Sequence, residues 1–249
     1  MEINTSKFKL QKSISNSLIA KTIVKPDLVV LSGIKEIDKL LGGFKSGEIT
    51  FIDGDSSLIS NIPNQLCVNT YKTFYSDTIY IDGGVCADPY KIAKYARLME
   101  LDQKETLRRV HISRAFTVYQ LSTLISEMLE PAIKRYKPRT LIIGRLPVLY
   151  LDPDVKTKEA RVILKNNLEK LRELTRKYDL ITIFTNLDRR LSSNQRGIRD
   201  TVCSNVNEII SMNQTERCIN VSLLNKKQET VILTFAKGQT RLQDFGMVI

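Results

Sequence analysis

Apolar residues fall along this chain in two alternating rhythms. Five short runs, ITFID (49–53), TIYID (78–82), VHIS (110–113), TLII (140–143) and LITIF (180–184), have the length and the β-branched content of buried strands. Between them lie segments of helical period. Ile92, Ala96 and Met99 share one helical face, and Leu121, Leu124, Ile125 and Met128 share another; such stripes pack into a core and are not sites. Asp88 before Pro89 is a helix start, and so is Thr117 with Gln120 three residues on. From Lys158 to Tyr178, Leu164, Leu168, Leu171 and Tyr178 line one face, with Lys165, Lys170, Arg172, Arg176 and Lys177 around the rest. Strand alternating with helix predicts an α/β fold, a mostly parallel twisted sheet flanked by helices. After Asn207 the runs NEIISM, RCINVSLL and ETVILTFA predict C-terminal antiparallel strands that extend the sheet. No internal repeat or low-complexity tract interrupts the pattern.

Size is consistent with that reading. The 249 residues, 42% of them hydrophobic, suffice for one α/β core and not for a second of similar size. Residues 30–249 are expected to form it, with 1–29 as an extension or linker. No apolar run approaches the ~20 residues of a membrane span, and MEINTSKFKLQKS lacks the apolar centre of a secretory signal. A cytoplasmic, nucleoid-associated protein is expected. Cys67, Cys86, Cys203 and Cys218 are too scattered for a zinc site or a disulfide scaffold and read as ordinary thiols; no metal site is expected. The single histidine, His111, belongs to a core or rim position, which leaves a Ser-His-Asp centre unsupported.

Charge changes the picture. Lysine and arginine number 38 against 27 acids, a formal +11, and a surplus of that size favours a polyanion as partner.

The candidate chemistry lies at GDSSLISN, Gly54 to Asn61. A phosphate loop G-x-x-x-x-G-K-[ST] uses glycines so that backbone amides close on the anion, a lysine for the terminal phosphates and a hydroxyl for magnesium. Gly54 is in place, but the second glycine is Ile59, the lysine is Ser60 and the hydroxyl is Asn61. Read without that frame, the segment is a strand, a turn and an Asn-capped helix with Pro63 in its first turn. Only the backbone near Ser56 and Ser57 keeps any potential to hold a nucleotide, weakly.

Five segments in order, LSGIKEIDKLLGGFKSGEITFIDG, IYIDGGVCADPYKIAKYA, SRAFTVYQLSTLI, TLIIG and ITIFTN, resemble the ATPase core of the RecA/RadA recombinases over roughly residues 30 to 245. The resemblance implies a RecA-like core, and the family exchanges DNA strands in ATP-dependent filaments. Where the family has its general base, two residues past Asp82, this chain has Gly84; where it has the metal-supporting aspartate, Gly144; where it has the γ-phosphate-sensing glutamine, Leu187. An Asp-Ser-Pro cap is missing from SLLNKKQ (Ser222 to Gln228). Base, lysine, metal support and sensor act on one transition state, and losing any one costs on the order of a hundredfold. A pseudo-ATPase without cofactor is therefore expected.

The family also holds DNA in two loops, which would fall near 151–159 and 188–201 here. The first, LDPDVKTKE, is not basic; the second, DRRLSSNQRGIRDT, carries Arg189, Arg190, Arg196 and Arg199 and reads as a mobile, phosphate-neutralising loop. With no tryptophan and no aromatic among those arginines, base readout is not indicated. The resemblance places an aromatic-x-x-Ala polymerisation hook before the core; Leu18 with Ala20 does not match it, so long filaments are not expected, and the chain resembles the archaeal RadA paralogues. The expected function is a non-catalytic accessory to recombinational repair. It would bind single-stranded DNA, and double-stranded DNA as an alternative, without sequence preference, and would modulate an active RadA-type recombinase or another paralogue. The alternatives are a partner-binding scaffold with incidental DNA affinity and an atypical ATP-binding, KaiC-like regulator.

Overall fold

A computed structural model describes residues 28–187 and 193–233. Its core is a mixed sheet of eight strands, most of them separated by helices along the chain. A small hairpin-like pair, β1 (Val29–Val30) and β2 (Phe44–Lys45), brackets α1 (Lys35–Leu41). The chain then runs through β3 (Ile49–Gly54), α2 (Leu58–Phe74), β4 (Thr78–Asp82), α3 (Pro89–Leu98), α4 (Gln103–Arg108) and β5 (Val110–Arg114). Next come α5 (Val118–Thr123), a π-helical turn (Leu124–Met128), α6 (Leu129–Tyr136), β6 (Thr140–Gly144) and α7 (Thr157–Lys177). The last elements are β7 (Ile181–Leu187), α8 (Ser193–Cys203), β8 (Glu208–Gln214), β9 (Cys218–Leu223) and β10 (Gln228–Leu233).

In space the strands stand in the order β10-β9-β8-β3-β7-β6-β4-β5. From β8 to β5 every neighbour is parallel, and only β9 and β10 run against their neighbours. The expectation of C-terminal antiparallel strands thus holds for β9 and β10 but not for NEIISM. That run is β8 and pairs parallel to β3, because α8 intervenes as a crossover after β7 and returns the chain in the same direction.

Because side chains alternate across a strand, the sheet divides the core in two. Phe51, Leu141, Ile143 and Phe184 face α7 through Leu164, Leu168 and Leu171. Ile52, Tyr80, Ile142 and Ile183 face α2 and α3 through Leu66 and Ile92. Both cap signals are realised. Asp88 accepts from the backbone N–H of Tyr90 and Lys91, and Thr117 accepts from Gln120 N at 3.2 Å, while Gln120 Oε1 accepts from Phe116 N at 2.8 Å. The π-helical turn was not predicted. It precedes Pro131, which has no N–H to give to the carbonyl one turn back, and a widened turn absorbs such a gap.

Two boundaries depart from the sequence reading. The helix after the loop begins at Leu58, ahead of Asn61, so Asn61 is not its cap and Pro63 falls in its second turn. The run read as a mobile loop over 188–201 is helical from Ser193. His111 sits on the rim: its ring stacks on Tyr136 at 3.7 Å and its Nε2 meets Asp77 Oδ2 at 2.7 Å. Leu18 and Ala20 lie outside the described residues. Among the described residues no helix is long and apolar enough to cross a membrane.

Candidate functional site

Parallel strands end together, and their C-terminal edge is where α/β sheets gather ligands. Register aligns Gly54 of β3 with Leu187 of β7, and Asp82 of β4 with Gly144 of β6. Gly84 follows two residues beyond Asp82. The sequence-predicted positions Gly54, Ser56, Ser57, Ile59, Ser60, Asn61, Gly84, Gly144 and Leu187 therefore belong to the same edge, on the strand ends, the turns leaving them and the first turn of α2.

What surrounds them differs from a phosphate cradle. In such a loop the backbone N–H groups point outward at the anion. Here Asp55 N donates to Met212 O at 3.0 Å, Ser57 N to Gln214 Oε1 at 3.0 Å, Leu58 N to Ser56 Oγ at 3.2 Å and Ile59 N to Ser56 O at 3.0 Å. Asp55 Oδ1 in turn accepts from Gln214 N at 2.9 Å, which fastens the loop to β8 from both sides. Gly54, at φ 140°, is required: a Cβ there would stand 2.0 Å from Met212 O. Asn61 Oδ1 accepts from Lys91 Nζ at 3.1 Å. The amides of Asp55, Ser57, Leu58 and Ile59 are thus taken by the chain's own acceptors.

The space beside Gly84 and Gly144 is filled as well. A Cβ on Gly84 would meet Arg145 Cδ at 2.2 Å, because the Arg145 side chain lies across that glycine and reaches Leu187 O at 3.5 Å. Arg145 itself holds φ 54°, braced by its N–H donating to Thr185 Oγ1 at 3.0 Å, and its Nε is buried without a partner among the described residues. On Gly144 a Cβ would meet the Tyr80 ring at 3.0 Å and its hydroxyl at 3.2 Å. Burial pushes the Tyr80 phenol well above its usual range, helped by the nearby Cys67, Cys86 and Asp82. Asp82 is consumed locally, accepting from Gly84 N, Cys86 N and Ala87 N at 2.9 to 3.1 Å, with Arg114 Nε at 3.6 Å. Burial, then the Asp82 charge, raises the Cys86 thiol.

Behind the loop sits a polar knot that the sequence did not reveal. Asp53, 4% exposed, accepts from Asn186 Nδ2 at 2.8 Å and from Arg199 Nε at 2.5 Å. Desolvation alone would lower the Arg199 guanidinium, and the Asp53 hydrogen bond and charge more than offset it, so the net shift is upward. Buried Asn64 joins α2 to the turn after β4, donating to Ser60 O at 2.8 Å and Cys86 O at 3.1 Å and accepting from Asp88 N at 2.9 Å.

This bears on one of the arginine assignments. Arg199 lies on α8, not in a loop, and its Nε is held by the buried Asp53 carboxylate. Arg189, Arg190 and the Arg196 side chain lie outside the described residues. The missed residues, Arg145, Tyr80, Asn64 and Gln214, carry one local signal each at most: Arg145 follows Gly144 directly, and Tyr80 stands two residues before Asp82. Among the described residues no group of three or more His, Cys, Asp or Glu side chains gathers to hold a metal.

An eight-stranded, mostly parallel sheet with its loops collected at the C-terminal edge and an antiparallel extension beyond β8 defines a RecA-like core. A family model described as Rad51 matches residues 24–197. The chain belongs to the Rad51 family, and with it to the proteins of recombination and repair.

Proposed function

We propose that this chain is a Rad51-family protein without nucleotide turnover that binds DNA as an accessory to an active recombinase. The observation that carries the reading is the self-occupied loop. Its amides donate to Met212, Gln214 and Ser56, and Arg145 lies where a general base would project. These residues do not fit a magnesium-bound nucleotide, since donors already satisfied inside the protein gain little from an anion and a guanidinium repels the metal. A DNA-binding role draws on the surplus of +11 and on Arg189, Arg190 and Arg196, whose pull on a phosphate chain is independent of sequence.

The test is a salt-titrated binding assay with labelled single-stranded DNA, run with and without Mg-ATP, alongside phosphate release. The expected result is binding that ATP leaves unchanged and release at background. ATP-stimulated binding, or turnover abolished by a loop substitution, would refute it.

A second reading, a scaffold that binds a protein partner, has its own support. Phe116, Tyr119 and Met128 stand 67%, 51% and 57% exposed around a groove of about 460 Å³ beside the edge strand β5. If the isolated protein fails to bind DNA at low salt yet forms a complex with a recombinase, this second reading replaces the first.

A further inference from the structure

At the opposite pole of the sheet lies a cavity of about 590 Å³ that the reading above does not use. It is lined by the residues that immediately precede β4, β6 and β7, among them Tyr75, Lys137, Arg139 and Tyr178. The five-residue strands between the two poles put it roughly 17 Å from the Asp82–Gly144 edge.

Its chemistry is cationic and aromatic together. The nearby carboxylates have partners of their own: Glu130 pairs with Lys170, Lys177 and the cavity-lining Tyr178, and Asp77 with Arg109 and His111. Lys134 stands only at the edge of Glu130's reach, at 3.6 Å. Lys137 and Arg139 then have no carboxylate within ion-pair distance among the described residues. Beside them Tyr75 is 76% exposed, with its ring edge-on to Tyr71 at 5.8 Å. Nothing about burial keeps a ring there. Tyr75 closes α2 at φ 52° and Lys137 closes α6 at φ 49°, so two left-handed helix ends present a ring and an ammonium at one cavity. A positive groove with an aromatic face is what a sequence-indifferent site for single-stranded nucleic acid needs, since phosphates take the cations and any base stacks on the ring.

On the reading of the chain as a DNA binder, we infer that this cavity is a second contact for single-stranded nucleic acid, with a base on Tyr75 and the adjoining phosphates on Lys137 and Arg139. An acidic protein segment is the competing occupant, but it has no use for the exposed ring.

The experiment compares oligo-dT binding across salt for the full chain, Lys137→Gln/Arg139→Gln, Tyr75→Asn, Tyr75→Phe and Arg189→Gln/Arg190→Gln. Asparagine tolerates the left-handed backbone at position 75, so the loss of stacking is read without strain. Removing two phosphate contacts lowers the magnitude of the log–log salt slope by about 1.4. Tyr75→Asn weakens binding about tenfold, while Tyr75→Phe retains it. A halogenated oligonucleotide should also photocrosslink at Tyr75. If Lys137→Gln/Arg139→Gln binds like the parent while Arg189→Gln/Arg190→Gln weakens, the second contact is refuted and the DNA-binding function stands. If the parent itself binds no DNA, both fall. An oligoglutamate that displaces dT at equal charge, with Tyr75→Asn unaffected, overturns the inference in favour of a protein partner.

Discussion

Replacing Arg199 with alanine separates a structural cation from a DNA contact. The guanidinium touches Asp53 at 2.5 Å, and the two side chains are 26% and 6% exposed. Alanine leaves the Asp53 carboxylate in the interior with Asn186 Nδ2 as its remaining side-chain donor among the described residues. Breaking a buried pair by removing one partner costs about 3–5 kcal/mol. Because Arg199 keeps a quarter of its surface in solvent, screening reduces that to roughly 2–3 kcal/mol. In a chain of this size each kcal/mol moves the melting temperature by about 2–4 °C, so a fall of about 4–12 °C is expected. The sequence holds no tryptophan, so urea or thermal unfolding is best followed by far-ultraviolet circular dichroism. Asp53→Asn combined with Arg199→Ala removes the stranded charge. The double variant is expected to be more stable than the sum of the two singles by at least about 1 kcal/mol. The DNA salt slope should not change. A variant that melts within about 0.5 kcal/mol of the parent while its slope flattens by ~0.7 would refute the inward-facing assignment and make Arg199 a phosphate contact after all.

Three further outcomes are expected. Gly84→Glu, which puts a carboxylate where the resemblance implies a general base, should destabilise by about 1–3 kcal/mol because its Cβ would stand 2.2 Å from Arg145 Cδ; adding Arg145→Ala should recover stability without creating phosphate release, and a steady-state ATPase signal from either variant would contradict the proposed function. Tyr80→Phe removes a buried hydroxyl that has no partner among the described residues and is expected to stabilise by about 1 kcal/mol in urea unfolding; a loss of stability would reveal a bonded hydroxyl. The third concerns pH. The Glu130 carboxyl is held down to about 2, first by Lys177 and then by Tyr178, with Lys170 adding to them. A carboxyl depressed on folding stabilises above its unfolded value, near 4.5, and loses that contribution as pH falls toward 2. The melting-temperature gap between the parent and Glu130→Gln should therefore be widest above pH 5 and close by pH 2; a gap independent of pH would remove Glu130 from the acid response.

How far the sequence carried depended on the range of the contacts involved. The strands and helix starts are local, and Asp88 and Thr117 cap the helices their spacing predicts. Helix starts without such a signal are harder to read: Ser57, at the N-cap of α2, makes no side-chain cap bond, so the apparent cap Asn61 misled by several residues. Strand direction in NEIISM depended on a crossover helix hidden in a run of arginines and small polar residues. At the site, Ile59, Ser60, Gly84, Gly144 and Leu187 could be singled out from the sequence because the resemblance says what the family carries there. What took their place was not. Gln214 reaches Ser57 across 157 residues and Arg199 reaches Asp53 across 146, and only the completed sheet brings those pairs together.

The replacements depend on one another. A loop shaped to wrap a polyanion presents several N–H donors at the end of a sheet, and each donor left buried and unpaired costs about 1–3 kcal/mol. Emptying the loop alone would leave that cost standing; Gln214, Ser56 and Met212 O remove it by supplying acceptors. Glycines at 84 and 144 would open voids, which Arg145 and Tyr80 fill. Arg199 supplies the counter-charge that Asp53 requires. A ligand seated on the loop amides would have to break several of these contacts at once. On the proposed reading, ATP would have no differential affinity with which to bias one conformation over another. On that reading, regulation of DNA affinity would come through a partner or through salt, and a DNA affinity that moves with Mg-ATP at fixed salt would contradict it.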